Sequence, residues 1–335
     1  MKRYIVYGAG AIGGAIGGRL LQAGADVTFI ARGANLQALK EGGMRLRTPS
    51  SDDRLKVDVV GSPDEARIGA QDIVVLAVKT QDTAAALQEL VVAVPDTIIL
   101  CAQNGVENER LALRQFSKVY GGFVFIASAH MKPGHVDIYT GSSPGILDIG
   151  RVPGGADGTA DQIARDLKAA GFDAVARPDI MAWKRAKLLM NLNNGLQAVS
   201  GSTIAELVDL ARLAGEEGKT CLDAALLSYV PSDQVIARLG SVLNFSTIDG
   251  QPFPGGSSWQ SMARGTSSEV AYLNGEIVLI GRELGIPTPI NLFLHETVQR
   301  MVRDGSKPGT LGLDELYAAL TGLTPQQRPA AVSQG

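Results

Sequence analysis

Three groups of residues have types and spacing that could do chemistry. The first is Gly8-Ala9-Gly10-Ala11-Ile12-Gly13, directly after the apolar run Tyr4–Tyr7. Gly8 allows a tight turn, Gly10 lets a pyrophosphate approach the backbone, and Gly13 lets a helix pack close to a sheet. The unpaired N–H groups at that helix's start would meet the anion. The second is Arg32, placed after the next strand where NAD-binding proteins carry Asp or Glu for the ribose 2′-hydroxyl. A guanidinium there suits a 2′-phosphate, so NADP(H) is the expected cofactor. The alternative for Arg32 is a solvated loop charge. The third is Lys187, Asn191 and Asn194, at i, i+4 and i+7 of an otherwise apolar helix. Unpaired on a buried helix, they would be costly to desolvate, so they must face a wet cleft or a polar network. A cleft holding a carbonyl substrate would need such donors; an interhelical network would use them equally well.

These groups need elements to hold them. Tyr4–Tyr7, the glycine turn, a helix to Gly24 and the strand Asp26–Ile30 read as one strand-helix-strand unit. A helix near Asn35–Glu41 and a hairpin-like stretch from Met44 to Val60 follow, then a short helix start at Ser62–Ala66. Asp72–Val78 and Thr97–Cys101 are near-continuous apolar runs, as in a parallel sheet covered on both faces. Lys79 and Asn104 stand just past their C-terminal ends. Ligands of open α/β sheets bind on that rim, the one that carries the glycine turn. A loop lysine and an Asn-Gly turn are the plain alternatives. Tyr120–His130 and Val136–Ile149 read as strands; His130 and His135 are too isolated to be called ligands. Thr159–Ala170 reads as a helix and Asp173–Ala176 as one more strand, so the first domain is expected to span 1–178.

From Asp179 helical periodicity takes over, giving a helical domain over 179–325 and a polar, disordered tail at 326–335. Trp183–Asn194 is its first helix. Thr266-x-x-Glu269 is a capping-box pattern before a long helix whose apolar stripe is Val270, Leu273, Ile277 and Ile280. Thr288-Pro289 opens the next.

The bounds exclude several classes. The 335 residues are 45% apolar and 19% charged with a net charge of −3, which is globular, and no basic run invites nucleic acid. No run reaches the ~18 apolar residues of a membrane span. Cys101 and Cys221 lie far apart in apolar surroundings, outside any metal spacing, as buried thiols of a reducing cytoplasm would. No metal site is expected.

The ordered set GAGAIG, AVKTQDT, the QNG loop, KLLMN and SEVAYLNGEI, covering nearly the whole chain, resembles the ketopantoate reductase (2-dehydropantoate 2-reductase) family. The glycine turn alone would also fit other 6-phosphogluconate-dehydrogenase-like enzymes. The resemblance implies an α/β Rossmann-type N-terminal domain, an all-α C-terminal domain, an active site in the cleft between, and reduction of a 2-oxo acid by NADPH. Position by position it implies that Lys187 and Glu269 are catalytic. Asn191, Asn194 and Ser258 would bind substrate, with Ser258 on its carboxylate. Gly8, Ala9, Gly10, Ala11, Ile12, Gly13, Arg32, Lys79 and Asn104 would hold the cofactor. Asn194 stands one residue short of the family spacing, a further family asparagine falls near Ile204, and Met262 replaces an acid. All three departures lie on the substrate side.

In the expected reaction Lys187 stabilises and then protonates the C2 oxygen of the oxo acid. Glu269 either binds a substrate hydroxyl or fixes Lys187. The leading substrate is ketopantoate, reduced to pantoate for pantothenate biosynthesis, by a cytoplasmic homodimer. Two other classes remain: another NADP-linked 3-hydroxy acid or opine-type dehydrogenase, separable by a substrate panel, and a non-catalytic NADP(H)-binding regulator, which would bind cofactor without turnover.

Overall fold

Alternation of short apolar runs with helical stretches builds a sheet first and a helical assembly second. The computed structural model describes residues 1–322 except Ser142, Ile204, Asn244, Arg264 and Thr266, and the backbone alone at Ser241, Leu243, Ser257, Ser258 and Ala263. Two compact units divide the chain: unit 1 is Met1–Ala186 with Tyr229–Pro254, and unit 2 is Lys187–Ser228 with the chain from Gly255.

The strands of unit 1 are β1 (Tyr4–Tyr7), β2 (Val27–Ile30), β3 (Met44–Thr48), β4 (Ser51–Leu55), β5 (Asp58–Val60), β6 (Ile73–Leu76), β7 (Ile98–Cys101), β8 (Lys118–Phe125), β9 (Ser128–Ala129), β10 (His135–Ile138) and β11 (Ile146–Arg151). Its helices are α1 (Ala11–Gln22), α2 (Gly33–Gly42), α3 (Pro63–Ala66), α4 (Thr83–Ala93), α5 (Glu107–Leu113) and α6 (Gly158–Ala169). The main sheet has the order β11-β8-β7-β6-β1-β2-β5 and is parallel except for β11. Chain order reverses between β1 and β6, the switch point at which such sheets bind ligands. The four central strands β7, β6, β1 and β2 are buried along their whole length, which is why they read as unbroken apolar runs.

The stretch from Met44 to Val60 is a hairpin, β3 with β4, followed by β5 at the edge of the main sheet. The two strand-like stretches between Tyr120 and Ile149 do not pair as one hairpin. β8 and β11 pair in the main sheet, whereas β10 joins β3 and β9 in a second sheet ordered β4-β3-β10-β9. Asp173–Ala176 also departs from expectation. It runs beside β11 with two isolated bridges rather than as a strand. The Val175 N–H goes to Asp148 Oδ1 at 3.1 Å instead of to a ladder carbonyl.

Asp148 explains why unit 1 runs past the expected cut at 178. Its fully buried carboxylate takes Arg177 Nε at 2.5 Å and Arg238 Nη2 at 2.7 Å, and Arg238 also pairs with Asp173. That pairing holds the Asp173 carboxyl below the usual carboxylate range. Arg238 lies on α10 (Ser232–Leu239), so the segment from Tyr229 returns to the sheet unit. The start of α7 (Ile180–Asn191) belongs there too: Trp183 packs edge-on against Phe123, with ring centroids 5.4 Å apart, and lies under the Arg177 guanidinium.

Unit 2 takes the end of α7, then α8 (Asn193–Ser200), α9 (Val208–Ala224), α11 (Ser257–Ala263), α12 (Asn274–Leu284), α13 (Pro289–Arg303) and α14 (Leu313–Thr321). Leu210, Ala214, Ile277, Leu294 and Val298 are fully buried between them. A Cβ at Gly218 would stand 2.6 Å from Leu189 Cδ2, so glycine there lets α9 approach α7 without displacing that side chain. The long helix expected before Leu284 is broken: a 3-10 turn over Val270–Tyr272, then Leu273 off helical dihedrals, then α12. Thr266 and the tail beyond Gly322 lie outside the described residues; Glu269 is the N-cap of the 3-10 turn without a side-chain cap bond, and the Ser268 Oγ accepts the Val270 N–H at 3.2 Å. No described helix is long and apolar enough to cross a membrane.

Candidate active site

The residues expected to hold a nucleotide all belong to unit 1. Gly8 has φ +106° and lies against the end of β6: a Cβ there would stand 2.7 Å from the Ala77 carbonyl. A Cβ at Gly13 would lie 2.0 Å from the Gly8 oxygen, so the turn closes only with glycine. Gly10 has nothing within 4 Å of such an atom and opens outward. It is also the N-cap of α1, whose first turn carries neither a side-chain cap nor an acidic residue. The N–H groups over Ala11, Ile12 and Gly13 are therefore available to an anion, and the cradle fits a pyrophosphate. Asn35 pins the turn, donating Nδ2 to the Ala9 carbonyl at 2.9 Å while its Oδ1 takes the Gly134 N–H. His130 Nε2 reaches the same Oδ1 at 3.1 Å, and among the described residues no group of His, Cys, Asp or Glu side chains could hold a metal ion.

Lys79 and Asn104 stand at the C-terminal ends of β6 and β7, as expected, and are half-buried. A buried chain of side chains holds their loops. Gln103 Nε2 donates to Thr83 Oγ1 at 2.8 Å, and Thr83 Oγ1 donates to Asn108 Oδ1 at 2.7 Å. Asn108 Nδ2 then reaches the Asn104 carbonyl at 3.0 Å and Thr80 Oγ1 at 3.3 Å. Asn108 gave no sequence signal, because its partners lie up to 28 positions away. Gly105, at φ +77°, turns the chain directly after Asn104.

Arg32 stands just past β2, at the N-cap of α2, where the ribose is read in this fold class. Its Nη2 lies 2.6 and 2.8 Å from the two oxygens of Glu89 and 2.8 Å from the Tyr7 hydroxyl. Neither Glu89 nor Tyr7 was legible as a partner of Arg32.

The residues expected on the substrate side belong to unit 2. Lys187 and Asn191 lie one turn apart on α7 and are half-buried, between fully buried Leu188 and Leu192. Asn191 Nδ2 is sealed from solvent yet has no hydrogen-bond partner. A buried amide donor without a partner costs free energy unless something else accepts from it. Asn194 follows almost directly: α7 ends at Asn191 and α8 begins at Asn193, while Leu192 between them keeps right-handed helical dihedrals (φ −58°, ψ −28°) and its N–H reaches the Leu188 carbonyl at 3.2 Å. Asn274 Nδ2 donates to the Leu192 carbonyl at 3.1 Å and to Asn291 Oδ1 at 2.9 Å. Gly195 makes room for it: a Cβ there would stand 2.8 Å from Asn274 Oδ1. Asn291 Nδ2 in turn meets the Ala214 carbonyl and Glu217, and Glu217 accepts the Ile290 and Asn291 N–H groups at the start of α13.

This inner network ties the Leu192 carbonyl, between Asn191 and Asn194, to α12 and α13. Asn274 lies inside the YLNG stretch, so a signal for it was present. Replacing Asn274 by leucine is expected to cost about 1–3 kcal/mol of unfolding free energy, because two buried acceptors lose their donor. Urea denaturation measures this, and an unshifted midpoint would mean that the amide contributes nothing to stability.

Asn194 also faces the start of α11, since a Cβ at Gly256 would lie 3.2 Å from its Oδ1. Ser258 follows on that helix, with its side chain outside the described atoms. Glu269 is half-buried at the turn before Val270. The structure thus brings Asn194 to Gly256, just before α11, and places Lys187 one turn from Asn191.

Two family models match the chain: ketopantoate reductase PanE/ApbA over residues 4–154, and its C-terminal counterpart over 179–302. The 2-dehydropantoate 2-reductase of Archaeoglobus fulgidus is 31% identical over 310 residues, covering 89% of this chain and 97% of the relative. That of Pyrococcus abyssi is 30% identical over 298 residues, covering 88% and 95%. Among solved structures, a PanE/ApbA family ketopantoate reductase from Ralstonia eutropha superposes with a TM-score of 0.77 at 30% identity, covering 91% and 99% of the two chains. A D-mandelate dehydrogenase with NADH and anilino(oxo)acetate gives 0.78 at 23% identity, covering 90% and 99%, a likeness of fold alone. The glycine turn, the Lys187–Asn191 pair and matches that run nearly end to end agree: this chain belongs to the ketopantoate reductase family.

Proposed function

We propose that the protein is an NADPH-dependent oxidoreductase that reduces a 2-oxo acid to the 2-hydroxy acid, with ketopantoate as the leading substrate. The observation that carries this reading is the buried, unpartnered amide of Asn191 one turn from Lys187. An oxo acid offers the carbonyl and carboxylate oxygens that this amide lacks. The names of the Archaeoglobus and Pyrococcus relatives support the same substrate. Arg32 supports NADP(H) as the nucleotide, and the α1 N-terminus supports a pyrophosphate beside Gly10.

When bound, the nicotinamide supplies a hydride to the C2 carbonyl. Lys187 holds the oxygen on which negative charge grows and delivers its proton there. Asn191 and Asn194 orient the acid, and Ser258 takes its carboxylate. Glu269 supplies the carboxylate on the same substrate side. Lys79 and Asn104 line the nucleotide rim. A cytoplasmic homodimer completes the proposal; the two free, buried cysteines fit a reducing compartment.

The test follows NADPH absorbance with ketopantoate beside branched and unbranched 2-oxo acids. Turnover fastest with ketopantoate is the expected result. NADPH binding without oxidation on any of them would instead make the protein a nucleotide-binding regulator.

A further inference from the structure

The geometry points to Glu89 as the residue that sets how strongly this protein prefers a 2′-phosphorylated nucleotide, by pairing with Arg32. This rests on the reading that unit 1 holds a nicotinamide dinucleotide.

Glu89 lies on α4, the crossover after β6, and Arg32 follows β2. Both strands flank β1, and Tyr7 at the end of β1 bridges them. Its hydroxyl donates to Glu89 Oε2 and accepts from Arg32 Nη2, while its ring lies 5.9 Å from the guanidinium carbon. Both Glu89 oxygens lie within 2.8 Å of the same Nη2. The Tyr7 hydrogen bond, with help from Arg32, holds the Glu89 carboxyl below its usual range, so it is ionised at neutral pH. Burial and Glu89 push the Tyr7 hydroxyl up, so it is neutral. The cluster therefore carries one positive and one negative charge, with no net charge.

A ribose 2′-phosphate carries close to two negative charges at neutral pH. Arg32 attracts it and Glu89 repels it. A ribose 2′-hydroxyl is neutral, and a carboxylate at the edge of β2 is the group that accepts its hydrogen bond. The cluster thus offers something to each nucleotide: the guanidinium favours NADPH, and the carboxylate weakens that preference and supports NADH. An arginine alone at this position would discriminate more sharply.

The experiment compares wild type and Glu89→Gln by equilibrium binding, with no oxo acid present. Titrations with NADPH and NADH are read by fluorescence, and 2′,5′-ADP and 5′-ADP by calorimetry. Glutamine keeps an acceptor for Tyr7 and removes only the charge. The expected result is about tenfold tighter NADPH and 2′,5′-ADP, with NADH and 5′-ADP equal or weaker, the order expected for one like charge in a half-exposed site. The gain should shrink as salt rises, which an effect on folding alone would not produce. Unchanged or weaker NADPH binding would overturn the proposal and make Glu89 a prop for the guanidinium. If wild type binds neither nucleotide, the functional reading itself falls, and this inference with it.

Discussion

Replacing Lys187 by alanine is expected to lower kcat by about 10²–10⁴-fold, the usual worth of a positioned proton donor. The Kd for NADPH should stay within error of wild type. Lys187 is one of the few polar groups on a face of α7 where Leu188 and Leu192 are fully buried. Alanine suits a helix interior, so the fold should survive the change. The loss should fall on kcat more than on KM, because the ammonium matters most once charge has built up on the oxygen. Added primary amines should restore part of the rate. Turnover equal to wild type would remove Lys187 from the chemistry.

The second large effect is on stability. Lys184, one turn before Lys187, is buried in unit 1 with Nζ 2.8 Å from Glu109 Oε1 and 2.8 Å from the Gln103 carbonyl. Their side chains are 3% and 0% exposed, and Gly121 leaves the space they fill: a Cβ there would meet Lys184 Cδ at 3.3 Å. Burial pushes the Glu109 carboxyl up, and the ammonium pulls it back. Lys184→Met removes the ammonium and leaves a carboxyl in an apolar site, which should cost about 3–5 kcal/mol. In that variant Glu109 keeps its proton when folded and loses it when unfolded. The unfolded state then binds fewer protons, and stability falls as pH rises above the ordinary carboxylate value. Replacing both residues with methionine and leucine should recover most of the loss and abolish the slope. Urea unfolding at pH 5 and pH 8 measures both. A single variant as stable as wild type, with no slope, would mean that the pair contributes nothing.

What the sequence made legible was local. The glycine turn depends on spacing within six positions, and Gly8 and Gly13 have a steric reason visible in the structure, while Gly10 opens outward. The parallel strands showed as apolar runs because both their faces are covered. Lys187 and Asn191 showed as polar residues on an apolar helix. What escaped depends on distant pairings. Arg32 meets Glu89 from 57 positions away, and nothing near either residue announces the pair. The Leu192 carbonyl, between α7 and α8, takes a side-chain donor from Asn274, 82 positions later. The C-terminal family match begins at 179, where the pattern changes, while the compact sheet unit runs on because Trp183 and Lys184 pack on the sheet and Arg238 closes on Asp148 from 90 positions away. Pattern at the cut could report only the change from strands to helices.

Arg238 has one more consequence. The nucleotide-holding half is not finished when the ribosome passes its last strand; it waits for an arginine encoded after the first stretch of the other half. A gene cut near codon 178 would yield a fragment whose Asp148 keeps a single guanidinium in place of two. The two halves are thus interleaved rather than strung end to end, and neither can be exchanged between relatives by one crossover. A chimera that respects this architecture needs its junctions near Ala186, Ser228 and Pro254.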